Sequence, residues 1–175
     1  MIAKLVHHLY QFECNIYSMI NNRYDQKGLN LFFHQITHLG GATATISFTV
    51  FFILCFDFPT KLWGLESALS LLTSHLFVFS TKKIYPRARP YLSLPNARVG
   101  KNPLKDHSFP SGHTTAIFSI ITPFIFHLPI LGLILFPLAC CVGVSRVFLG
   151  LHYPSDVLAG ALVGMGFGLL AINVI

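Results

Sequence analysis

Residues 114–148 read TTAIFSIITPFIFHLPILGLILFPLACCVGVSRVF, and along that length only Arg146 carries a fixed charge. A helix needs about 20 apolar residues, within a range of about 17 to 25, to cross a hydrocarbon core about 30 Å thick. The Leu128-Pro129 step divides the stretch into a short run, 114–128, and a full one, 130–148, because the residue before a proline is turned away from helix. Two crossings return the chain to the side it left. Whatever precedes residue 114 therefore shares a membrane face with whatever follows residue 148. The fold class this predicts is all-α, a polytopic transmembrane helix bundle.

Working outward, 42–58 and 62–81 read as further spans before this pair and 157–175 as one after it, about five in all. Composition agrees: 53% of the 175 residues are hydrophobic and 10% charged, with a mean hydropathy of +0.63, whereas a soluble domain carries about 25% charged residues. The formal charge of +6 gathers in loops beside apolar runs, which favours an anionic lipid headgroup over nucleic acid as the partner. Cys14, Cys55, Cys140 and Cys141 form no C-x-x-C pair and read as buried thiols acting as small apolar side chains. The first residues, with Lys4, His7, His8 and Glu13, do not read as a cleaved signal peptide. Leu5, Leu9, Phe12, Ile16 and Ile20 recur at helical spacing among polar neighbours, the pattern of a helix lying in the interface. The expected organisation is an N-terminal interfacial helical segment over 1–41 and a transmembrane bundle over 42–175.

Glu66 and His75 interrupt the second span, but nine residues at about 100° each place them on opposite helix faces. Glu66 is expected to reach the interface, and His75 to bond a neighbouring helix. Gly160, Gly164 and Gly168 form a small-residue stripe in the final span. It predicts close packing within the monomer, with a homodimer as the alternative.

The polar residues on the shared face form a chemical inventory. Arg89 and Arg146 offer planar forks for phosphate, and Lys82 adds a point charge. Pro110 suits a helix entry, so the amides of Ser111, Gly112 and His113 would face an anion at a helix N-terminus. His152 can attack phosphorus as a neutral imidazole, Asp156 can hold its other nitrogen, and His113 can protonate the leaving oxygen. Taken singly, each has a plainer role: Lys82 as an interfacial anchor, Asp156 as a helix cap, His152 as a loop histidine. Their convergence on one face is what the plainer roles leave unexplained.

Lys82-(six residues)-Arg89-Pro90, Pro110-Ser111-Gly112-His113 and Ser145-Arg146-(five residues)-His152-(three residues)-Asp156 resemble the three motifs of the type 2 phosphatidic-acid phosphatase family. The resemblance implies a membrane lipid phosphatase with His152 as nucleophile, Asp156 as its partner and His113 as general acid. It further implies Lys82, Arg89, Ser111, Gly112 and Arg146 as the phosphate cradle, with no metal and no other cofactor. Members with membrane helices often have six spans, one more than is read here. The loop 91–109, with Arg98, Lys101 and Lys105, is expected to cover the pocket and read a second negative group on the headgroup.

The substrate expected is a phosphomonoester or diphosphate on a lipid such as phosphatidic acid, phosphatidylglycerophosphate, undecaprenyl diphosphate or lipid A. Transfer to a lipid acceptor, or binding and transport of a phospholipid without catalysis, are the alternatives; a haloperoxidase would have no use for the spans. The family generally places this site outside the cytoplasm, which is the expectation here. The positive-inside rule opposes it, since every Lys and Arg except Lys61 falls on the site face.

Overall fold

The computed structural model describes residues 2–175, and helices account for all of the regular structure among them. α1 (Ile2–Asn21) and α2 (Lys27–Ile36) are followed by a 3-10 turn, Thr37–Gly40. The spans predicted from sequence appear as α3 (Ala42–Cys55), α4 (Thr60–Ile84), α6 (Gly112–His127), α7 (Gly132–Phe148) and α8 (Pro154–Val174). A single short turn of helix, α5 (Pro90–Ser93), lies in the long connection between α4 and α6. The protein is a multi-pass membrane helix bundle.

Three helical stretches, Thr60–Ile84, Pro129–Phe148 and Pro154–Val174, are by themselves long and apolar enough to cross a bilayer. Lys27–Gly40 and Ala42–Cys55, bent by 50° at their junction, qualify together as a fourth. The remaining predicted span, α6, has 16 residues, roughly 24 Å at the helical rise. It can be short because it is the central helix: α3, α4, α7 and α8 all pack on it. Its Ile117, Phe118, Ile120, Ile121 and Phe124 are buried. Around the outside, Leu54, Leu72, Leu133, Ile134 and Leu158 point away from the protein, as they should where the solvent is hydrocarbon. Cys55 is exposed and the other three cysteines are half-buried, so these thiols face lipid or helix flanks rather than a sealed core.

The glycine stripe of α8 is occupied from within the chain. A Cβ on Gly160 would come within 2.7 Å of the Ser111 carbonyl oxygen, on Gly164 within 2.5 Å of the Thr115 carbonyl oxygen, and on Gly168 within 2.5 Å of Thr122 Cβ. All three glycines are buried against α6, which leaves that face closed to a second copy. The dimer alternative is thereby corrected in favour of monomer packing. α4 meets α6 through the small buried residues Ser67, Ser70 and Ser74, and Ser67 Oγ donates to the Ile120 carbonyl at 2.8 Å.

Glu66 and His75 of α4 have different surroundings. Glu66, near the start of α4, is buried within the protein and pairs with His127, whose Nε2 lies 2.8 Å from Oε2 and 3.1 Å from Oε1. Trp63 stacks on the same imidazole at 5.4 Å. His75 is exposed on α4 and has no hydrogen bond among the described residues.

α1 packs on α7 and α8 with its two faces well separated. Leu5, Leu9, Phe12 and Met19 point outward. On the opposite face, Tyr17 and Asn21 are buried. Asn21 Nδ2 donates to the Arg98 carbonyl at 2.9 Å and the Phe148 carbonyl at 2.8 Å, and its Oδ1 accepts from the Arg98 amide at 2.8 Å. One side chain thus ties the long α4–α6 connection to the end of α7.

Candidate active site

The end of α4, the start of α6, the end of α7 and the start of α8 converge at one end of the bundle. α7 stops at a turn in which Gly150 adopts φ 76°, and a Cβ there would lie 2.1 Å from the Arg98 carbonyl oxygen. Glycine is required at this point on both counts. The turn folds back so that the amides of Leu151 and His152 both donate to the Arg146 carbonyl, at 3.1 and 3.2 Å. Pro154 then opens α8 at a position where its missing amide costs nothing. Asp156, at the third helical position, reaches back to accept from the Tyr153 amide at 2.8 Å. It is a cap as well as a partner to His152.

His152 is 2% exposed and Asp156 0%. The ring's Nε2 lies 3.2 Å from Arg89 Nη1 and so faces the cations. Nδ1 lies 3.7 Å from Asp156 Oδ2 and 3.5 Å from Ser108 Oγ, and that hydroxyl donates to Oδ2 at 2.5 Å. Asp156 therefore orients the ring at ion-pair distance, with Ser108 beside the contact. Burial, then the nearby Arg146 and Arg89, push the His152 imidazole down to about 4 against the pull of Asp156. It is neutral at pH 7, the state that a nucleophilic nitrogen needs.

The cradle is assembled from three directions. Arg89, 1% exposed, donates through Nε to the Asp106 carbonyl at 2.7 Å and through Nη1 to the Leu151 carbonyl at 2.7 Å. Its Nη2 meets Asp106 Oδ1 at 2.6 Å. Lys82 Nζ donates to Asp106 Oδ2 at 2.6 Å and to the His107 carbonyl at 2.7 Å. Burial alone would raise the Asp106 carboxyl, but Lys82 and Arg89 outweigh it and hold it down to about 2. Arg146 is buried at the end of α7, with Nη1 on Thr37 Oγ1 at 2.7 Å and Nε without a partner among the described residues. Ser111 is buried at the entrance to α6, bonded to Thr114 Oγ1 at 2.9 Å. Gly112 follows, and a Cβ on it would meet nothing within 4 Å. Packing does not demand glycine there, and the open space lies at the helix N-terminus.

His113 and Arg146 line a cleft of about 240 Å³. Its other walls come from three sources: His34, Thr37 and His38 before α3, Val99, Gly100 and Leu104 of the long connection, and Leu149 and Leu151 after α7. That connection lines the pocket through uncharged residues, Asn102 and Pro103 among them. Arg98 is turned to Asp25, with which it forms an ion pair, and Lys101 and Lys105 are exposed. None of the three cations lines the cleft.

The motif residues Lys82, Arg89, Ser111, Gly112, His113, Arg146, His152 and Asp156 thus lie at one end of the bundle. Asp106, Ser108, Arg87, Glu13 and the His34–His38 segment join them without having been predicted from sequence. Arg87 bonds Asp156 Oδ1 at 2.7 Å and Glu13 Oε2 at 2.7 Å. One available signal was Glu13, a lone carboxylate in an otherwise apolar and basic stretch. No spacing rule could have announced the rest, since each acts across a long sequence separation.

A family model described as the PAP2 superfamily matches residues 63–175. The chain is 42% identical over 83 residues to a bacitracin transport permease protein, BcrC, of Bacillus licheniformis, a match covering 47% of this chain and 40% of that protein. It thus spans about two fifths of that relative's length. In three dimensions it is similar to LpxE of Aquifex aeolicus, with a TM-score of 0.81 and 29% identity over 91% of this chain and 94% of that one. A transmembrane PAP2 type phosphatidylglycerolphosphate phosphatase from Bacillus subtilis gives a TM-score of 0.78 and 27% identity, covering 95% of this chain and 85% of that one.

Proposed function

The chain belongs to the PAP2 superfamily, and from that membership we propose that it hydrolyses a phosphomonoester or diphosphate on a membrane lipid through a phosphohistidine. The observation that carries the reading is the 3.2 Å approach of Arg89 Nη1 to Nε2 of a buried, neutral His152. A phosphate held by Arg89 is held against the attacking nitrogen.

In the first step His152 Nε2 forms a bond to phosphorus while the bond to the lipid oxygen breaks. His113, at the cleft wall, gives that oxygen its proton. Lys82, Arg89 and Arg146, with Ser111 and the Gly112 amide, take up charge on the equatorial oxygens, where most of the catalytic stabilisation arises. In the second step His113 accepts a proton from water, the water oxygen bonds to phosphorus, and the phosphorus–nitrogen bond breaks. Phosphate leaves and both histidines are restored.

The cleft beyond His113 is where the leaving group would lie, so His34 and His38 stand nearer to a headgroup than Arg98, Lys101 or Lys105. We assign Arg98 to holding the covering connection through Asp25, and keep Lys101 and Lys105 as exposed cations that meet an anionic surface. The α1 face bearing Leu5, Leu9, Phe12 and Met19 suits the lipid interface, as read for 1–41, and the site is assigned to the extracytoplasmic side. The second reading, binding or transport without hydrolysis, is favoured by one observation, the permease name of the Bacillus licheniformis relative.

The test is phosphate release in detergent with EDTA, for wild type and His152→Ala, on phosphatidic acid, phosphatidylglycerophosphate, undecaprenyl diphosphate and lipid A. Release that persists in EDTA and is lost in His152→Ala is the expected result. No release from any of the four, or equal release by the variant, overturns the mechanism.

A further inference from the structure

Asp156 has different partners on its two oxygens. Oδ2, on the His152 side, accepts from Ser108 Oγ and the Tyr153 amide. Oδ1 accepts from Arg87 Nη1 at 2.7 Å. The same guanidinium donates to Ser155 Oγ at 2.7 Å and, through Nη2, to Glu13 Oε2 at 2.7 Å. It lies over the Tyr153 ring, 4.1 Å from the centroid. The second oxygen of Glu13 accepts from the Ser155 amide at 3.0 Å and from the Ser155 hydroxyl. A single cation is thereby bracketed by two carboxylates, one beside the nucleophile and one on α1.

The geometry points to Arg87 and Glu13 as positioning residues for the His152–Asp156 pair, which makes the N-terminal helix a working part of the site. The kinetic side of this inference rests on the phosphatase reading; the structural side does not.

The physical reason for two residues rather than one lies in the charge. Arg87 alone on Oδ1 would fix the carboxylate plane but draw negative charge away from Oδ2, weakening its hold on the imidazole. Glu13 on the other side of the guanidinium offsets that pull. The Glu13–Arg87–Asp156 set carries the same net charge as Asp156 alone, yet its geometry is clamped from α1, from the α4–α6 connection and from α8. In a site of low dielectric such offsets act strongly. The groups facing His152 are Asp156 and Ser108 on one side and Arg89, Arg146 and His113 on the other, with Lys82 and Asp106 behind Arg89. Those facing Arg87 are Glu13, Asp156, Ser155 and Tyr153.

The two variants must then act in opposite directions. Arg87→Gln removes a positive charge, which favours the imidazolium and moves the titration of His152 to higher pH. Glu13→Gln removes a negative charge and moves it to lower pH. A residue that served folding alone would lower the amount or the turnover of the enzyme without this reversal of sign.

The experiment uses the full chain in detergent micelles with ring-15N histidine, the His152 signal being assigned by its loss in His152→Gln. Wild type, Arg87→Gln, Arg87→Lys and Glu13→Gln are titrated, and kcat/KM for phosphate release is followed over the same range. The expected result is an upward shift of about one pH unit in Arg87→Gln, a tenfold change in the ionisation constant. A smaller downward shift is expected in Glu13→Gln and a value near wild type in Arg87→Lys. The acid limb of kcat/KM should move with the ring signal. If Arg87→Gln does not fold, the sign of the Glu13→Gln shift decides. Phosphate release with no shift, or shifts of the same sign, overturns the positioning role and leaves the phosphatase reading intact. Opposite shifts without release in wild type would do the reverse.

Discussion

Arg89 meets Asp106 twice, through Nε on the backbone carbonyl at 2.7 Å and through Nη2 on the carboxylate at 2.6 Å. The other carboxylate oxygen is on Lys82 at 2.6 Å. With a side chain 53% exposed, Asp106 occupies the two cations from the solvent side. A substrate phosphate arriving at Lys82 and Arg89 must share them with this carboxylate or displace it. Asp106→Asn should therefore bind inorganic phosphate about fivefold more tightly, the equivalent of about 1 kcal/mol, read as a lower inhibition constant in the release assay. The folded carboxyl is held at about 2 against an ordinary 3.8. The stability it contributes is fully present above the ordinary value and is lost only as pH falls through about 2. The contrast between wild type and Asp106→Asn should hold across neutral and mildly acid assays.

His113 is separable from His152 by choice of leaving group. An alkoxide needs a proton as the bond to phosphorus breaks, whereas a nitrophenolate does not. His113→Asn should slow release from a lipid phosphate by about 10²- to 10⁴-fold and slow nitrophenol release from nitrophenyl phosphate far less. Equal losses on both substrates would remove His113 from the role of acid.

Gly164 and Gly166 form a matched pair on α8. A Cβ on Gly164 would meet the Thr115 carbonyl oxygen at 2.5 Å and Phe118 Cβ at 2.8 Å, whereas one on Gly166 meets nothing within 4 Å. Gly164→Ala should cost about 1–3 kcal/mol through forced separation of α8 from α6. Gly166→Ala should match or slightly exceed wild type, because alanine is the better helix former. Melting in detergent checks both.

His127→Ala leaves the buried Glu66 carboxylate without its partner and removes the ring that Trp63 stacks on. The expected cost is about 1–3 kcal/mol in stability. Glu66 lies 16 residues before Lys82 in α4, about 24 Å along the helix. KM for the lipid should therefore stay at its wild-type value, and a large change in KM would mean that the two ends of α4 are coupled.

The division between what could be read from the chain and what could not follows the range of the interactions. His152, Asp156, His113 and the cradle cations sit at fixed short spacings on strong helix boundaries, and the even number of crossings between Lys82 and Arg146 placed them together. The apolar runs located all five bundle helices, although α6 came out as an inner helix rather than a full-length span. Asp106 was adjacent to a motif but had no pattern of its own. Glu13 lay in a stretch whose amphipathic spacing, Leu5 to Ile20, described only its apolar side, and Thr37 and His38 lay beyond that spacing. The cations in 98–105 pointed to headgroup recognition by charge alone. Only the fold shows Arg98 already paired with Asp25 and the cleft lined by its neighbours.

His152 and Asp156, the proposed nucleophile and its partner, lie in the final third of the chain, yet Asp156 is held by Arg87, and Arg87 in turn by Glu13, from far earlier in it. The cradle around Lys82, Arg89 and Ser111 is translated well before them. Those earlier residues lean on the later ones: Arg89 Nη1 donates to the Leu151 carbonyl at 2.7 Å and the Ser111 amide to the Asp156 carbonyl at 3.0 Å. The proposed site is therefore complete only when α8 docks its glycines against α6. A chain ending before residue 151 would lack the proposed nucleophile and also the carbonyls that hold Arg89 and the Ser111 amide in place.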